Sequence, residues 1–360
     1  MRFFFIIQGE GRGHMTQALA LATMLRAEGH EVSRVVIGRS ARRVIPDFFS
    51  AGIQCRIDQV SSPNFVTDKR SKSVHVWRSI WHATVRLRTY YRSLQQLHGM
   101  VKADEPDVII NFYDFIGGIF NKLKSPRARF ICIAHQYLAA HPAFEFPKGR
   151  LLDKRSLEIS NWITALGADA RLALSFKEYP DHGMIQVVPP LLRREVRERA
   201  VRQEDYLLVY MLNHGYAEDV NRFHEKNPDI KLHCFWDKQD APKEWRVDDT
   251  LTYHQLDGEK FMHFMAGCKG YLTTAGFESV CEAMYLGKPV MMMPVHGHYE
   301  QACNALDAVQ SGAGVASDTF DLNILVAYLP KHRDVAESFR GWCDRAEGIF
   351  LSNLTSHGDH

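Results

Sequence analysis

Apolar and polar positions alternate along the chain in a way that spells out β-α-β units from its first residues. Phe3 to Ile7 is an unbroken apolar run that stops at glycines, the pattern of a strand buried on both faces as it enters a tight turn. Ala18, Leu21, Ala22 and Leu25 then recur at helical spacing over Thr16 to Glu28, Gly29 ends the helix, and Glu31 to Ile37 supplies a second strand. Asp107 to Asn111, Arg129 to Ala134 and Ala170 to Ser175 read as further strands, with helical or loop segments between them. Val187-Val188-Pro189-Pro190 is rigid, and a domain boundary is expected near residue 190.

A second α/β series follows. Strands are expected at Tyr206 to Met211, Lys231 to Phe235, Gly270 to Thr273 and Val290 to Met293, and helices at Ala217 to Lys226, Phe261 to Ala266 and Ser279 to Leu286. Asn213-His214-Gly215 reads as a turn, and the stretch from His298 to Ala305 as a loop. A terminal helix from Asp334 to Leu354 would carry Ala336, Phe339, Trp342, Cys343 and Ala346 on one side. The expected organisation is a first domain over 1–190, a second over 191–333 and a closing helix over 334–360. No repeat indicates a solenoid or propeller.

Composition narrows the class without naming it. A chain of 360 residues exceeds what one hydrophobic core usually fills, which agrees with two domains. A hydrophobic share of 46% and a charged share of 24% describe an ordinary globular chain, and a net charge of +2 gives no bias toward nucleic acid as a partner. Seven cysteines without a C-x-x-C pair argue against a zinc knuckle or a disulfide framework and fit a reducing compartment. The apolar start is too short for a signal peptide, and no run reaches the roughly 18 apolar residues of a membrane span. A cytoplasmic location is expected.

Two loops carry candidate chemistry. Gly9-x-Gly11-x-Gly13-His14 joins the first strand to the first helix, where glycines let the backbone approach a ligand and free helix amides favour negative charge. The dinucleotide fingerprint fails here: its third glycine would fall at His14, and the second strand ends Ile37-Gly38-Arg39 without the acidic residue that holds a ribose. His14, at the carboxyl edge of a parallel sheet, is a candidate general base for a hydroxyl proton, with Glu10 a candidate to orient it. A structural turn and a packing histidine are the plainer readings of the same residues.

The second loop region runs from Thr273 through Ala275-Gly276-Phe277-Glu278-Ser279 to Glu282 and on to Glu300-Gln301. Its glycine turn points helix amides at a phosphate group, and Glu282, further along that helix, is placed to accept hydrogen bonds from vicinal ribose hydroxyls. Gly276, Glu282, Ala283, Gly287, Pro289, Pro294, Gln301, Asn304 and Ala305, together with Gly11, Gly13 and His14, resemble the two-domain GT-B glycosyltransferases. The spacing is similar in particular to family 28, which includes the N-acetylglucosaminyltransferase of peptidoglycan synthesis and the galactolipid synthases. The resemblance implies two doubly wound Rossmann-like α/β domains facing across a cleft, with the C-terminal helix returning to the first. It implies transfer of a hexose from a nucleotide diphosphate donor, by default UDP-linked, to a hydroxyl acceptor, with inversion and with no metal or other cofactor.

By the same resemblance Glu282 holds the donor ribose and Gly276 and Phe277 offer amides to the diphosphate, with Ala275 and Ser279 in the same turn. Glu300 and Gln301 contact the sugar, Asn213, His214 and Gly215 form a phosphate loop, and Leu256 lies beside the base. Glu278 departs from the scheme, because a carboxylate in the first turn of that helix would repel a diphosphate. His296-x-His298 lacks a third ligand and is a weak metal candidate.

On the acceptor side, Gly11, Gly13, Asp114, His135 and Gln136 are candidates. Residues 69–102 hold eight basic and no acidic side chains, with Trp77, Ile80, Trp81, Thr84, Leu87, Tyr91 and Leu94 near one helical stripe. Such a helix either packs on the core with a solvated basic face or touches anionic lipid headgroups, which would suit a lipid or lipid-linked acceptor at the inner face of the membrane. The rivals are a sugar-nucleotide 2-epimerase of the same fold, an NADP-dependent reductase using Gly9 to Gly13 and Arg39, and a sugar-nucleotide sensor without turnover.

Overall fold

The structure is a computed structural model that describes residues 1–9, 11–39, 45–63, 87–211, 214–238 and 240–356, apart from the side chains of Arg39 and His214. Glu10, Asn213 and the aromatic and basic positions from Lys69 to Arg86 therefore lie outside the described residues. The chain divides into two compact units, residues 1–193 with 342–360, and residues 194–341.

The first unit is built on seven parallel strands: β1 (Arg2–Gln8), β2 (Glu31–Arg39), β3 (Arg56–Ser61), β4 (Val108–Phe112), β5 (Arg129–Ala134), β6 (Ala170–Leu174) and β7 (Ile185–Val188). Their order is β3-β2-β1-β4-β5-β6-β7. The central strands are apolar because both faces are covered: Phe3 to Ile7 and Val108 to Ile110 are wholly buried. Helix Arg12–Ala27 lays Met15, Ala18, Leu21, Ala22 and Leu25 on the sheet. Gly29, at φ +74°, supplies the left-handed turn after it.

The second unit repeats the plan with β8 (Leu207–Met211), β9 (Leu232–Trp236), β10 (Glu244–Arg246), β11 (Leu251–Gln255), β12 (Gly270–Thr273), β13 (Val290–Met292) and β14 (Gly314–Ala316). The order is β10-β11-β9-β8-β12-β13-β14, parallel except for β10, which runs antiparallel to β11 at the edge. Leu207, Val209, Met211, Cys234, Leu272 and Met291 pack against Val220, Phe223, Leu322 and Leu325 from the flanking helices. In each unit the order reverses beside the first strand, at β1/β4 and at β8/β12, and ligands of such sheets bind where the order reverses.

Two expectations need correction. Residues 298–305, read as a loop, open helix Tyr299–Gln310; Tyr299, Cys303, Asn304 and Asp307 are buried at helical spacing, a period that the polar Glu300-Gln301 pair hides in the sequence. The single terminal helix is two, Ala336–Asp344 and Ala346–Thr355, parted at Arg345, which pairs with Glu178 at 2.6 Å. On helix Leu87–Asp104, the described part of the expected apolar stripe, Leu94 is buried together with Ser93, Leu97 and Val101, while Leu87 and Tyr91 are exposed.

Candidate functional site

At the carboxyl edge of the first sheet, the chain turns from β1 into helix Arg12–Ala27 at Gly9. The Gly9 amide donates to the Gly38 carbonyl at 3.1 Å, and a Cβ at Gly9 would stand 2.5 Å from that oxygen, so only glycine lets the turn lie this close to β2. Gly11 caps the helix with extended backbone and no side-chain hydrogen bond, and Gly13 and His14 lie in the first turn. His14 is 8% exposed, and burial pushes its imidazole down to about 4, so it is neutral at neutral pH.

Two side chains fix the His14 ring. The Gln17 carbonyl oxygen, one turn along the helix, accepts from Nδ1 at 3.3 Å, which leaves Nε2 as the acceptor nitrogen. The Tyr113 ring stacks on the imidazole at 5.9 Å between centroids and 21° between planes. Tyr113 holds φ +58°, costly for a side chain of this size. It is held there at both ends: Asn111 bonds the backbone of Asp114 in both directions, and the Tyr113 hydroxyl donates to Asn161 at 2.6 Å. Gln17 carried a readable signal, three residues after His14 on a helix; Tyr113 carried none, because a left-handed tyrosine has no signature in sequence.

The acceptor-side candidates fall on neighbouring strand ends but differ in what they offer. Asp114 is fully buried as the N-cap of helix Phe115–Lys124, its Oδ1 accepting from Ile116 N and Ser62 Oγ, both at 2.8 Å. Burial lifts its carboxyl to about 6. His135 donates from Nδ1 to the Leu174 carbonyl at 2.7 Å, packs against Phe144 and Phe176, and is pushed by burial down to about 4. Gln136 is buried beside it, and its carbonyl accepts from Asn161 Nδ2 at 2.7 Å.

In the second unit, Gly215, Leu256, Ala275 to Ser279 and Glu300-Gln301 follow β8, β11, β12 and β13 in turn, so the parallel topology brings them all to one sheet edge. Gly215 is exposed within the single turn His214–Tyr216, and Leu256 is half-buried. Ala275 takes φ +61°, and Asn304 Nδ2 donates to its carbonyl at 3.2 Å. That bend delivers Gly276 as the N-cap of helix Phe277–Tyr285, again with no side-chain cap. Phe277 is buried, Ser279 turns back to the Gly276 carbonyl at 3.2 Å, and Glu282 is only 5% exposed. Gln301 Oε1 accepts from Val295 N at 2.8 Å, while Glu300 faces solvent and Glu278 is half-buried. Among the described residues no three His, Cys, Asp or Glu side chains are grouped to hold a metal ion, and no helix is long and apolar enough to cross a membrane.

Two Rossmann-like units with their glycine turns at the points where strand order reverses make up the GT-B fold of glycosyltransferases. More narrowly, the chain belongs to glycosyl transferase family 1, whose profile matches residues 1–331. Among solved structures it is similar to the glycotransferase of kitacinnamycin, at 17% identity and a TM-score of 0.66 over 98% of both chains. It is also similar to the spinosyn rhamnosyltransferase SpnG complexed with thymidine diphosphate, at 14% identity and a TM-score of 0.60 over 99% of this chain and 100% of that one. SnogD from Streptomyces nogalater matches at 15% identity and a TM-score of 0.57 over 99% of each. No curated protein sequence matches the chain. The family shown is thus family 1, and the narrower likeness to family 28 rests on the residue spacing alone.

Proposed function

We propose that this glycosyltransferase moves a hexose from a nucleoside diphosphate, UDP by default, to a hydroxyl acceptor by metal-independent inverting displacement. The observation that carries the reading is the helix Phe277–Tyr285, which combines an uncapped N-terminus at Gly276 with a buried glutamate, Glu282, six residues on. Amides at a helix N-terminus suit a diphosphate and stabilise the charge that grows on it as the sugar leaves. Glu282 lies about 9 Å further along the axis, a step from phosphate to ribose. Glu300 and Gln301, on the next helix, are the residues for sugar hydroxyls.

In this reading His14 removes the acceptor proton through Nε2, and Gln17 with Tyr113 keeps that nitrogen available. Gly11 and Gly13 leave room for the acceptor, with Asp114, His135 and Gln136 shaping its surroundings. A lipid or lipid-linked acceptor is supported by the basic, acid-free composition of residues 69–102. That one neighbour was captured with thymidine diphosphate makes this nucleotide the first competitor to UDP.

The test is calorimetric binding of UDP, TDP, GDP and NADPH without added metal, on wild type and on Glu282→Ala. Binding of one diphosphate that disappears in the variant supports the donor site. NADPH binding with no response to any diphosphate overturns it.

A further inference from the structure

Helix Leu151–Thr164 is amphipathic the wrong way round. A helix on a globular surface ordinarily turns its apolar stripe to the core and its polar face to water. This one buries Ser160, Asn161 and Thr164 and exposes Leu151 (77%), Leu152 (87%), Ile159 (52%) and Trp162 (60%). At 100° per residue the four exposed side chains fall within about a third of the helix circumference, with Arg155 among them. The buried polar groups are satisfied. Asn161 bonds Tyr113 and the Gln136 carbonyl, and Thr164 accepts from Tyr137 at 3.0 Å while its carbonyl accepts from Asn111. The inner face is committed to holding loops at the sheet edge, and the apolar outer face has no such use within the unit.

Charge narrows what would cover it. Lys148 and Arg150 precede the helix and Lys154 and Arg155 lie on it, against Asp153 and Glu158. The adjacent helix Phe115–Lys124, tied by Asn121 to the carbonyls of Leu166 and Gly167 just beyond, ends in a further exposed leucine, Leu123, between Lys122 and Lys124. Across these two stretches six basic side chains face two acidic ones. A strip 14 residues long presents about 200 Å², well short of the ~800 Å² per partner that a stable protein interface buries. A bilayer sets no such minimum, and leucines with a tryptophan among lysines and arginines is the composition of helices that lie in the headgroup region.

We propose that the outer face of helix Leu151–Thr164, with Leu123 beside it, seats this protein on an anionic lipid surface. The proposal is separate from the reading of residues 69–102 and from the donor chemistry, since lipid binding is measured without turnover. The experiment is co-sedimentation of the full chain with phosphatidylglycerol–phosphatidylcholine vesicles and with pure phosphatidylcholine vesicles. The triple variant Leu152→Ser, Ile159→Ser, Trp162→Ser changes only exposed positions; the charge variant Lys122→Glu, Lys148→Glu leaves the apolar face intact. We expect salt-sensitive partition onto the anionic vesicles alone, weakened about tenfold or more by each variant. Absence of partition, or partition that both variants retain, overturns the proposal. So does a concentration-dependent dimer, seen by sedimentation velocity without vesicles and lost in the triple variant, which would assign the face to a second copy of the chain.

Discussion

With the antiparallel edge strand β10 set aside, the parallel strands of the two units follow the same order, yet the helix after β4 and its counterpart after β12 begin differently. In the first unit it begins at Asp114, whose carboxylate occupies the helix N-terminus and accepts from Ile116. In the second it begins at Gly276, which has no side chain to cap the helix. One turn already carries its own anion; the other starts at a glycine with no capping side chain, the kind of helix N-terminus that suits an anion. On the proposed function, the same topology separates a unit that supplies proton chemistry through His14 from a unit that holds a diphosphate.

Deleting the base is expected to have the largest effect. His14→Ala should lower kcat by about 10²–10⁴ while the affinity for the nucleoside diphosphate stays within about twofold; a parallel loss of donor affinity would break the division of labour. Copying the first unit's cap into the second comes next. Gly276→Asp has space, since an added Cβ would meet nothing closer than Ser279 Oγ at 3.7 Å. A carboxylate about 5 Å from the diphosphate should cost about 3 kcal/mol, near a hundredfold in affinity. The same residue should hold or raise the melting temperature as a helix cap. Calorimetry and thermal unfolding on one sample would show the two effects moving apart.

A smaller effect probes how tightly the first unit's carboxylate is wedged. A Cβ at Gly38 would stand 1.8 Å from Asp114 Oδ2 and 2.9 Å from Ser62 Cβ, so Gly38→Ala should cost about 1–3 kcal/mol in urea unfolding.

The smallest prediction concerns pH. His14 and His135 charge near 4 in the folded chain and near 6.5 unfolded, so the unfolded state binds more protons between those values and stability falls as pH drops through them. Asp114 opposes this, because its folded value of about 6 exceeds the ordinary 3.8 and its contribution declines as pH rises across that interval. Asp114→Asn should therefore lose stability on acidification from pH 6 to 4 more steeply than wild type, read from urea midpoints at each pH.

Much of this was legible in sequence where burial is uniform. The central strands announce themselves because both faces are covered, and helix Ala217–Lys226 coincides with its predicted bounds. Edge elements did not. β3 reads Arg-Ile-Asp-Gln-Val-Ser and β10 Glu-Trp-Arg, because strands half open to water carry charges where the central ones carry valines. Helix Leu151–Thr164 was hidden for the opposite reason, since its apolar positions point outward and its inward ones are polar. At the site, glycines and His14 could be placed by motif. Of the residues beside His14, Gln17 is readable from its place three residues along the helix, the strained Tyr113 is not, and the candidate Glu10 lies outside the described residues.

The tail has a consequence for synthesis. Trp342 donates to the Ser175 carbonyl, Arg129 bonds the carbonyls of Asn353 and Leu354, and Phe350 and Leu354 are wholly buried, all within the first unit. The unit that leaves the ribosome first is therefore the one that finishes last. Residues 194–341 form one uninterrupted stretch and can complete their core while the earlier residues still lack their last helix, a wait of roughly 10–30 s at ordinary elongation rates. Through that interval the docking place of the tail stands uncovered on the nascent chain, which makes it the surface a chaperone would meet.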